Sequence, residues 1–246
     1  MGHFKKITYC LMLLLLVGCN RPAAPDCLQL GGKDGVLSKE LDPFNTLHLT
    51  DHLHYVLHSD ATYHCQIEGP ENLLPEIDFQ YNDGTLMIQN KNSCNIIRSY
   101  HRNITVHLYA PAFPSIINES TLRIETPDTL RQSYLHWQQF QASSDATLLL
   151  HCDSAHFEIP TGYGDVTLSG ISKKLKLYTS AIGIIDARRL RSEALYCNQA
   201  SIQDLFVYNT GYAYINISNM GSVYYLGAPN QTDLIDTGTG QWLPLP

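Results

Sequence analysis

Apolar and polar residues alternate in short segments along most of the chain, and Gly, Asn, Asp or Pro separates one segment from the next. Apolar residues rarely recur at the i, i+3, i+4 and i+7 positions that mark an amphipathic helix. Alternation with a period of two is typical of β-strands with one buried face, because successive side chains point to opposite sides. The chain is therefore predicted to be all-β.

Residues 40–112 are predicted to form a smaller N-terminal β region. Its candidate strands are Thr46–Leu49, Leu53–His58, His64–Glu68, Thr85–Gln89 and Ile104–Tyr109. Asn82-Asp83-Gly84, which precedes the fourth strand, suits a turn with positive φ. One helical turn is expected within residues 71–77, where Pro75 limits its length.

Residues 113–246 show a repeat of roughly 18–24 residues, made of a short strand, a turn of small residues and a second strand. Comparable turns occur at Asn118–Ser120, Ala142–Asp145, Thr161–Asp165, Thr179–Ala181, Asn198–Ser201 and Asn219–Ser222. Such a unit cannot bury its own apolar face, so successive units are expected to stack. We predict a right-handed parallel β-helix-like solenoid, whose last turn is capped by the apolar segment Trp242–Pro246.

One segment of the repeat region also suits a helix. Ala187–Leu195 contains good helix formers throughout. Its neighbours favour strand and loop, and an inserted helix would interrupt the stack. We prefer the strand interpretation and keep the helix as the alternative.

The N-terminus is predicted to be a lipoprotein signal peptide over residues 1–18. Lys5-Lys6 precedes an apolar run from Ile7 to Val17, and Leu16-Val17-Gly18-Cys19 is the pattern that precedes a lipidated cysteine in bacteria. The apolar run is shorter than the roughly 20 residues that span a bilayer. Cys19 is therefore the expected lipidation site.

Residues 19–39 are expected to form a tether between the lipid and the fold, because Pro22 and Pro25 favour extended backbone. Asn20, which follows the lipidated cysteine, favours the outer over the inner membrane. The predicted location is the bacterial cell envelope.

The charge balance argues against a nucleic-acid partner. Removal of Lys5 and Lys6 with the signal peptide leaves 14 basic and 23 acidic residues, a net charge near −9. An acidic body is also repelled by anionic lipid headgroups, so the lipid on Cys19 must supply the membrane attachment.

Five cysteines remain in the mature chain beside Cys19, in an oxidising compartment. Cys27 and Cys94 lie in polar, turn-rich sequence and are predicted to form a disulfide. Cys65, Cys152 and Cys197 share the alternation of buried apolar neighbours and are predicted to be buried free thiols.

Five histidines fall between residues 48 and 64, and imidazoles on one face of a sheet could bind zinc, nickel or copper. They are His48, His52, His54, His58 and His64. Alternation places Leu53, Tyr55 and Leu57 on the opposite face. The preferred interpretation is a polar stripe that faces solvent, and no metal site is predicted.

Aspartates recur near the predicted turns, at Asp145, Asp165, Asp186 and Asp204. Polysaccharide lyases with β-helix folds use such carboxylates to bind Ca²⁺, but Asp is also a good turn former. The chain has no Gly-x-Ser-x-Gly elbow, phosphate loop or HExxH motif. No catalytic residue and no cofactor is predicted.

Tyrosine is abundant, with 15 residues, and several lie in the last repeats. An exposed aromatic platform suits a glycan or protein partner, since a ring offers an apolar face and a hydroxyl group. Tyr208, Tyr212, Tyr214 and Tyr224 are the candidate binding residues. The alternative is that these rings only stack between repeats.

Six short motifs lie along the mature chain: Asp26-Cys27, Leu41–Leu47, Glu68–Ile77, Asp83–Ile88, Asn92–Asn95 and Gly238–Gly240. In these motifs the chain resembles a family of bacterial envelope lipoproteins, the putative auto-transporter adhesin head GIN domain family. The repeated Ser-Gly-Ser-Gly-Asp turn of the family survives clearly only at Thr161–Asp165, and the Gly-Ile-Asn tripeptide is absent. The resemblance implies a β-helix-like fold and a role in adhesion, with no catalytic residues to transfer.

The resulting hypothesis is a non-enzymatic, lipid-anchored envelope protein whose solenoid binds a glycan or an envelope or matrix protein. The alternatives are a structural or accessory lipoprotein of the periplasm and a polysaccharide-processing enzyme of the β-helix class.

Overall fold

The computed structural model describes residues 32–92 and 103–245. The predicted signal peptide, the predicted lipidation site Cys19 and the predicted Cys27–Cys94 disulfide lie outside the described residues. The strands are β1 (Asp34–Glu40), β2 (Thr46–Leu49), β3 (His54–Ser59), β4 (His64–Pro70), β5 (Ile77–Asn82), β6 (Thr85–Asn90), β7 (Thr105–Ala110), β8 (Ser115–Asn118), β9 (Ile124–Glu125), β10 (Leu130–Gln139), β11 (Ala146–Ile159), β12 (Val166–Thr179), β13 (Ile185–Gln199), β14 (Leu205–Ile217), β15 (Val223–Leu226), β16 (Gln231–Asp236) and β17 (Trp242–Pro244).

Strands dominate this part of the chain, as predicted. A 3₁₀ turn at Leu74–Glu76 is the one helical element within the described residues, and it falls where a helical turn was expected. No helix in residues 32–92 or 103–245 is long and apolar enough to cross a membrane.

The repeat region forms a parallel β-solenoid of about six turns, which confirms the predicted fold class. One residue from the start of each turn stacks directly on its counterpart in the next turn: Ile124, Ala146, Val166, Ile185, Leu205 and Val223. The turns differ in length by a few residues, since 22 positions separate Ile124 from Ala146 and 18 separate Leu205 from Val223. The repeat read from the sequence is therefore one turn of the solenoid.

Each long strand turns a corner near its middle. In β12, Gly170 has a φ of 106°, and the consecutive residues Lys173 and Lys174 both face outward where strict alternation would bury one of them. The two halves of β14 pair with different strands, the first half with β15 and the second with β16. We call the outer surface before the corner the leading face and the outer surface after it the trailing face.

Inward-facing residues of successive turns form continuous apolar columns that make up the core. Trp137, Phe157, Leu177, Cys197 and Ile215 are stacked neighbours in one such column, and all are buried. Full burial of each large apolar side chain contributes about 1.5–3 kcal/mol. The core is therefore elongated along the solenoid axis, and it holds every turn in register with its neighbours.

The N-terminal region continues the same stack. Strand β2 pairs in parallel with β8, and β3 pairs in parallel with β7 and β9. Strands β5 and β6 form a hairpin whose two-residue loop, Asp83 and Gly84, has φ values of 47° and 75°. This is the positive-φ turn that the sequence predicts.

The predicted tether over residues 19–39 is too long, because Asp34–Glu40 forms β1, antiparallel to β4. This strand lies at the edge of the sheet, and nearly all its side chains are exposed. Main-chain hydrogen bonds hold it in place, so its sequence shows no alternation of buried and exposed positions.

The helix alternative for Ala187–Leu195 is wrong. The segment lies within β13, which pairs in parallel with β12 on one side and β14 on the other. Ladder pairing and burial of Leu190 and Leu195 outweigh the helix propensity of the segment.

The C-terminal segment covers the last turn, as expected. Strand β17 pairs with β15, and the indole of Trp242 stacks on Tyr225 with ring centroids 4.1 Å apart.

Candidate functional site

The trailing face presents three rows of outward side chains, each row crossing five turns. The rows are Tyr134, Ser154, Lys174, Ala194 and Tyr212; His136, His156, Lys176, Tyr196 and Tyr214; and Gln138, Glu158, Tyr178, Asn198 and Asn216. We call these residues the ladder face. Alternation within each strand points them outward, and the parallel register aligns them between turns.

One end of the ladder face is aromatic. The ring centroid of Tyr196 lies 5.8 Å from that of Tyr212 and 6.4 Å from that of Tyr214. The Lys174 ammonium lies 5.3 Å from the centre of the Tyr196 ring, at a cation–π distance. The Tyr212 hydroxyl donates a hydrogen bond of 2.7 Å to Asp233, which raises the pKa of Tyr212 to about 12. This hydroxyl therefore stays protonated, and the cluster offers rings, one cation and hydroxyl groups on one surface.

A shallow depression of about 410 Å³ lies beside this cluster. Its polar and aromatic lining comes from four strands in successive turns and consists of His156, Lys174, Lys176, Tyr178, Tyr196, Asn198 and Tyr214. Aromatic walls with a few hydrogen-bonding groups are the usual composition of a small-molecule binding site.

The other end of the ladder face carries two histidines and a glutamate. The imidazole rings of His136 and His156 stack with centroids 4.8 Å apart and planes 12° apart. Nε2 of His136 lies 3.4 Å from Oε2 of Glu158, and Nε2 of His156 lies 3.3 Å from Oε1. The Gln138 amide donates a hydrogen bond of 3.0 Å to Glu158 Oε2. These side chains converge on one point of the surface.

The ionisation of this group follows from its partial burial. Burial lowers the pKa of His156, and the attraction of Glu158 only partly opposes that effect. Burial alone would raise the pKa of Glu158, but the Gln138 amide and the two imidazoles outweigh it and hold that pKa below its ordinary value. At neutral pH the group therefore offers a carboxylate next to a neutral His156.

The four tyrosines predicted as binding residues lie in two places. Tyr212 and Tyr214 are neighbours on the ladder face. Tyr224 lies on the leading face, where its ring stacks on Phe206 with centroids 5.5 Å apart. Tyr208 pairs with Leu226 at the end of the leading segment of β14. The sequence prediction missed Tyr196 as a partner, although its separation from Tyr214 equals one turn of the repeat.

The predicted histidine stripe faces outward. His54 and His58 are partly exposed, whereas Leu53, Tyr55 and Leu57 are fully buried, as alternation predicts. His58 stacks on Tyr109 with ring centroids 4.4 Å apart. Burial lowers the pKa of both His54 and His58. The stripe is therefore a set of stacked and ion-paired side chains.

The turn aspartates hold neighbouring turns together. Asp145 accepts a hydrogen bond of 3.0 Å from the backbone N–H of Asp165, which in turn accepts one of 2.8 Å from the N–H of Ile184. Asp204 binds the N–H of Ser222 in the same way, at 2.9 Å. These contacts favour the turn-forming interpretation over the calcium-binding one. Asp186, in contrast, lies on the leading face of β13 and accepts a hydrogen bond of 2.9 Å from Nε of Arg188.

The three cysteines within the described residues are buried free thiols, as predicted. Burial raises the pKa of Cys65 and of Cys152 to about 11, and that of Cys197 to about 12. The thiolate is the reactive form, so these side chains are core residues with little reactivity.

Comparison with solved structures shows the same fold in other bacterial proteins. A putative adhesin from Bacteroides fragilis NCTC 9343 is similar with a TM-score of 0.74 and 19% identity, covering 87% of this chain and 97% of the other. A putative adhesin from Parabacteroides distasonis ATCC 8503 gives a TM-score of 0.65 at 16% identity, covering 87% and 98%. A putative lipid binding protein from the same strain gives 0.57 at 14% identity, also covering 87% and 98%.

None of the curated proteins compared with the chain matches it. The family model described as "putative auto-transporter adhesin, head GIN domain" matches residues 43–229, from β2 to the residues just after β15. This match covers more than half of the chain and includes both ends of the ladder face. The chain therefore belongs to the head GIN domain family, which that description covers.

Proposed function

We propose that the protein is a non-enzymatic, lipid-anchored protein of the bacterial cell envelope that binds a glycan on its ladder face. The observation that carries the proposal is the cluster of Tyr196, Tyr212 and Tyr214 beside Lys174 and the depression on the trailing face. Membership of an adhesin family supports a binding role.

A sugar ring and this cluster have complementary chemistry. The C–H face of a pyranose stacks on an aromatic ring, and its hydroxyl groups need donors and acceptors around the rim. Tyr196 and Tyr214 supply the rings, and Lys174, Lys176 and Asn198 supply the polar groups. Lys174 and Lys176 are the only Lys or Arg residues of the ladder face, and they can pair with the carboxylate of an acidic glycan.

The contacts of the turn carboxylates support a role other than catalysis. Asp145, Asp165 and Asp204 each accept a backbone hydrogen bond. A carboxylate used in this way is positioned by the fold to join neighbouring turns.

Envelope attachment rests on the N-terminal sequence. The apolar run and Leu16-Val17-Gly18-Cys19 support cleavage before Cys19 and attachment of acyl chains there. Metabolic labelling with radioactive palmitate is expected to mark the wild-type protein and not Cys19→Ser. Labelling of both would refute lipidation at this residue.

Protease treatment of intact cells, with a periplasmic protein as internal control, distinguishes adhesion from a periplasmic role. Digestion of the solenoid while the control stays intact is expected for an adhesin. Protection until the outer membrane is permeabilised would contradict surface exposure and favour a structural or accessory periplasmic protein.

Glycan binding is tested with a glycan array and the purified protein, followed by titration of any glycan that binds. Tyr214→Ala is expected to weaken binding about three- to tenfold, as expected for the loss of an aromatic contact worth about 0.5–1.5 kcal/mol. Tyr224→Ala is the matched control, because Tyr224 is also a stacked tyrosine but lies on the leading face. Equal losses in both variants, or binding to a protein and to no glycan, would refute the proposal.

A further inference from the structure

We infer that His136, His156 and Glu158 form a binding site for a divalent transition-metal ion, with Zn²⁺ as the reference ion. One possible ligand atom from each of the three residues lies within 4.8 Å of the other two. Within residues 32–92 and 103–245, no other group of three His, Cys, Asp or Glu side chains meets this condition.

The separations of the ligand atoms suit tetrahedral coordination. Ligands at about 2.0–2.1 Å from Zn²⁺ lie roughly 3.4 Å from one another in a tetrahedron. Oε2 of Glu158 is already 3.4 Å from Nε2 of His136, and Oε1 is 3.3 Å from Nε2 of His156. Binding of one ion requires the two stacked imidazoles, whose planes are 12° apart, to turn so that both Nε2 lone pairs point towards it.

One possible ligand atom is poorly satisfied. Nε2 of His136 is shielded from solvent and makes no well-aligned hydrogen bond, although Oε2 of Glu158 lies 3.4 Å away. A buried nitrogen without a partner is costly, and a metal ion would use its lone pair. The nearby Glu158 carboxylate supplies the negative charge that a divalent cation requires.

The fold places the three side chains next to one another before any ion binds. His136 and His156 are directly opposite each other in the parallel pairing of β10 with β11. Glu158 follows His156 by two positions, which places it on the same face of β11. The Gln138 amide binds Oε2 of Glu158 at 3.0 Å and orients the carboxylate, as groups outside the coordination sphere commonly do in metal sites.

The site would keep one coordination position free. Three protein ligands on one face of a sheet leave the fourth position towards solvent, as in zinc sites that bind an exchangeable water or ligand. His156 also borders the depression beside Tyr196. The metal inference does not depend on the proposed function, because the ion can be measured without a glycan.

His54 and Glu125 provide a matched control on the leading face. Their side chains approach to 3.3 Å, and 25% and 35% of their surfaces are exposed. The corresponding values for His156 and Glu158 are 3.3 Å, 25% and 33%. Both pairs consist of a histidine and a glutamate with similar exposure, but only His156 and Glu158 lie close to a third possible ligand, His136.

The experiment is a competition titration of Zn²⁺ against a chromophoric chelator, using full-length protein purified in detergent without a polyhistidine tag. One equivalent of Zn²⁺ per chain is expected to bind. His136→Asn, His156→Asn and Glu158→Gln should each weaken that binding at least about tenfold, and Gln138→Ala should weaken it by about tenfold or somewhat less. His54→Asn should leave the affinity unchanged.

Co²⁺ absorption provides a second measurement, since ligand-field bands report coordination by nitrogen and oxygen. Circular dichroism should show the same β-sheet spectrum for all variants, because the substituted side chains lie on the outer surface. The inference is overturned if wild type binds no Zn²⁺ equivalent, or if His156→Asn and His54→Asn have the same effect. A glycan result on Tyr214→Ala bears on the proposed function alone.

Discussion

Gly183→Ala tests how tightly successive turns must approach each other. Gly183 lies in the turn between β12 and β13, directly over the preceding turn. A Cβ atom added there would lie 2.1 Å from the carbonyl oxygen of Gly164 and 2.8 Å from its carbonyl carbon. Both contacts are to backbone, so no side-chain rotation can relieve them.

The expected loss of folding stability follows from this overlap. A Cβ needs at least about 3.0 Å from another heavy atom, so the two turns must separate locally by about 1 Å. The Gly164 carbonyl also accepts a hydrogen bond of 3.3 Å from the buried amide of Gln139, which the shift would weaken. Overpacking of this kind costs about 1–3 kcal/mol. For a protein of this size, that corresponds to a lower melting temperature by about 2–12 °C.

The assay is urea unfolding followed by circular dichroism, with thermal melting as a second measurement. Gly35→Ala is the matched control, because its added Cβ would lie 3.1 Å from Cβ of Glu71, an exposed side chain next to an edge strand. We expect a change of less than about 0.5 kcal/mol there. A Gly183→Ala protein that unfolds within 0.5 kcal/mol of wild type would refute the argument that turn spacing requires glycine here.

Three further predictions concern buried and capping side chains. Asp165→Ala removes the acceptor for the Ile184 N–H and should lower the free energy of unfolding by about 1 kcal/mol. Asp165→Asn keeps an acceptor and should lower that free energy less. Equal urea midpoints for the two variants would contradict this prediction. Iodoacetamide should label Cys197 only after denaturation, since burial raises the pKa of this thiol to about 12 in the folded protein. Mass spectrometry of the labelled peptides measures the extent of labelling, and rapid labelling of the native protein would show that the thiol is accessible. Burial and the neighbouring His107 lower the pKa of His58, so this side chain binds a proton more readily in the unfolded chain, and the free energy of unfolding should fall as the pH decreases through about 6.5. In urea titrations, His58→Asn should reduce the fall in stability between pH 7.5 and pH 5.5. An identical fall in the wild type and the variant would exclude this contribution.

The fold could be predicted in detail where burial imposes alternation. The bounds of β2, Thr46–Leu49, match the prediction, and the turn at Asp83 and Gly84 has the expected backbone angles. The turns of the solenoid could be predicted from the sequence because each turn contributes residues to the same apolar columns. Strand β1 was missed because its stability comes from main-chain pairing at an edge, which leaves no pattern in its side chains.

The candidate metal group could not be predicted because it depends on register between turns. His136 and His156 are 20 positions apart, and the turns vary between 18 and 22 residues. A shift of one residue would place one imidazole in the core and the other in solvent. The sequence signal instead pointed to His48–His64, where histidines are close along the chain. There His58 and His64 stack on the same ring, that of Tyr109, and the carboxylates near His48, His54 and His58 are three different ones.

Register and the corner of the chain also decide which tyrosines lie together. Tyr224 and Tyr212 are close in sequence, yet the corner in the chain puts them on different faces. Tyr196 and Tyr214 are further apart in sequence and lie next to each other.

The order of strands also places β1 and the aromatic end of the ladder face far apart. Strand β1, the described element nearest to Cys19, lies at one end of the sheet, and β4, β7, β3, β9, β11, β12, β13 and β14 follow it in order. Eight steps of about 4.8 Å place the tyrosines of β14 nearly 40 Å beyond β1. A chain anchored at Cys19 with its axis upright would thus hold the aromatic cluster outermost and the histidine group closer to the lipid.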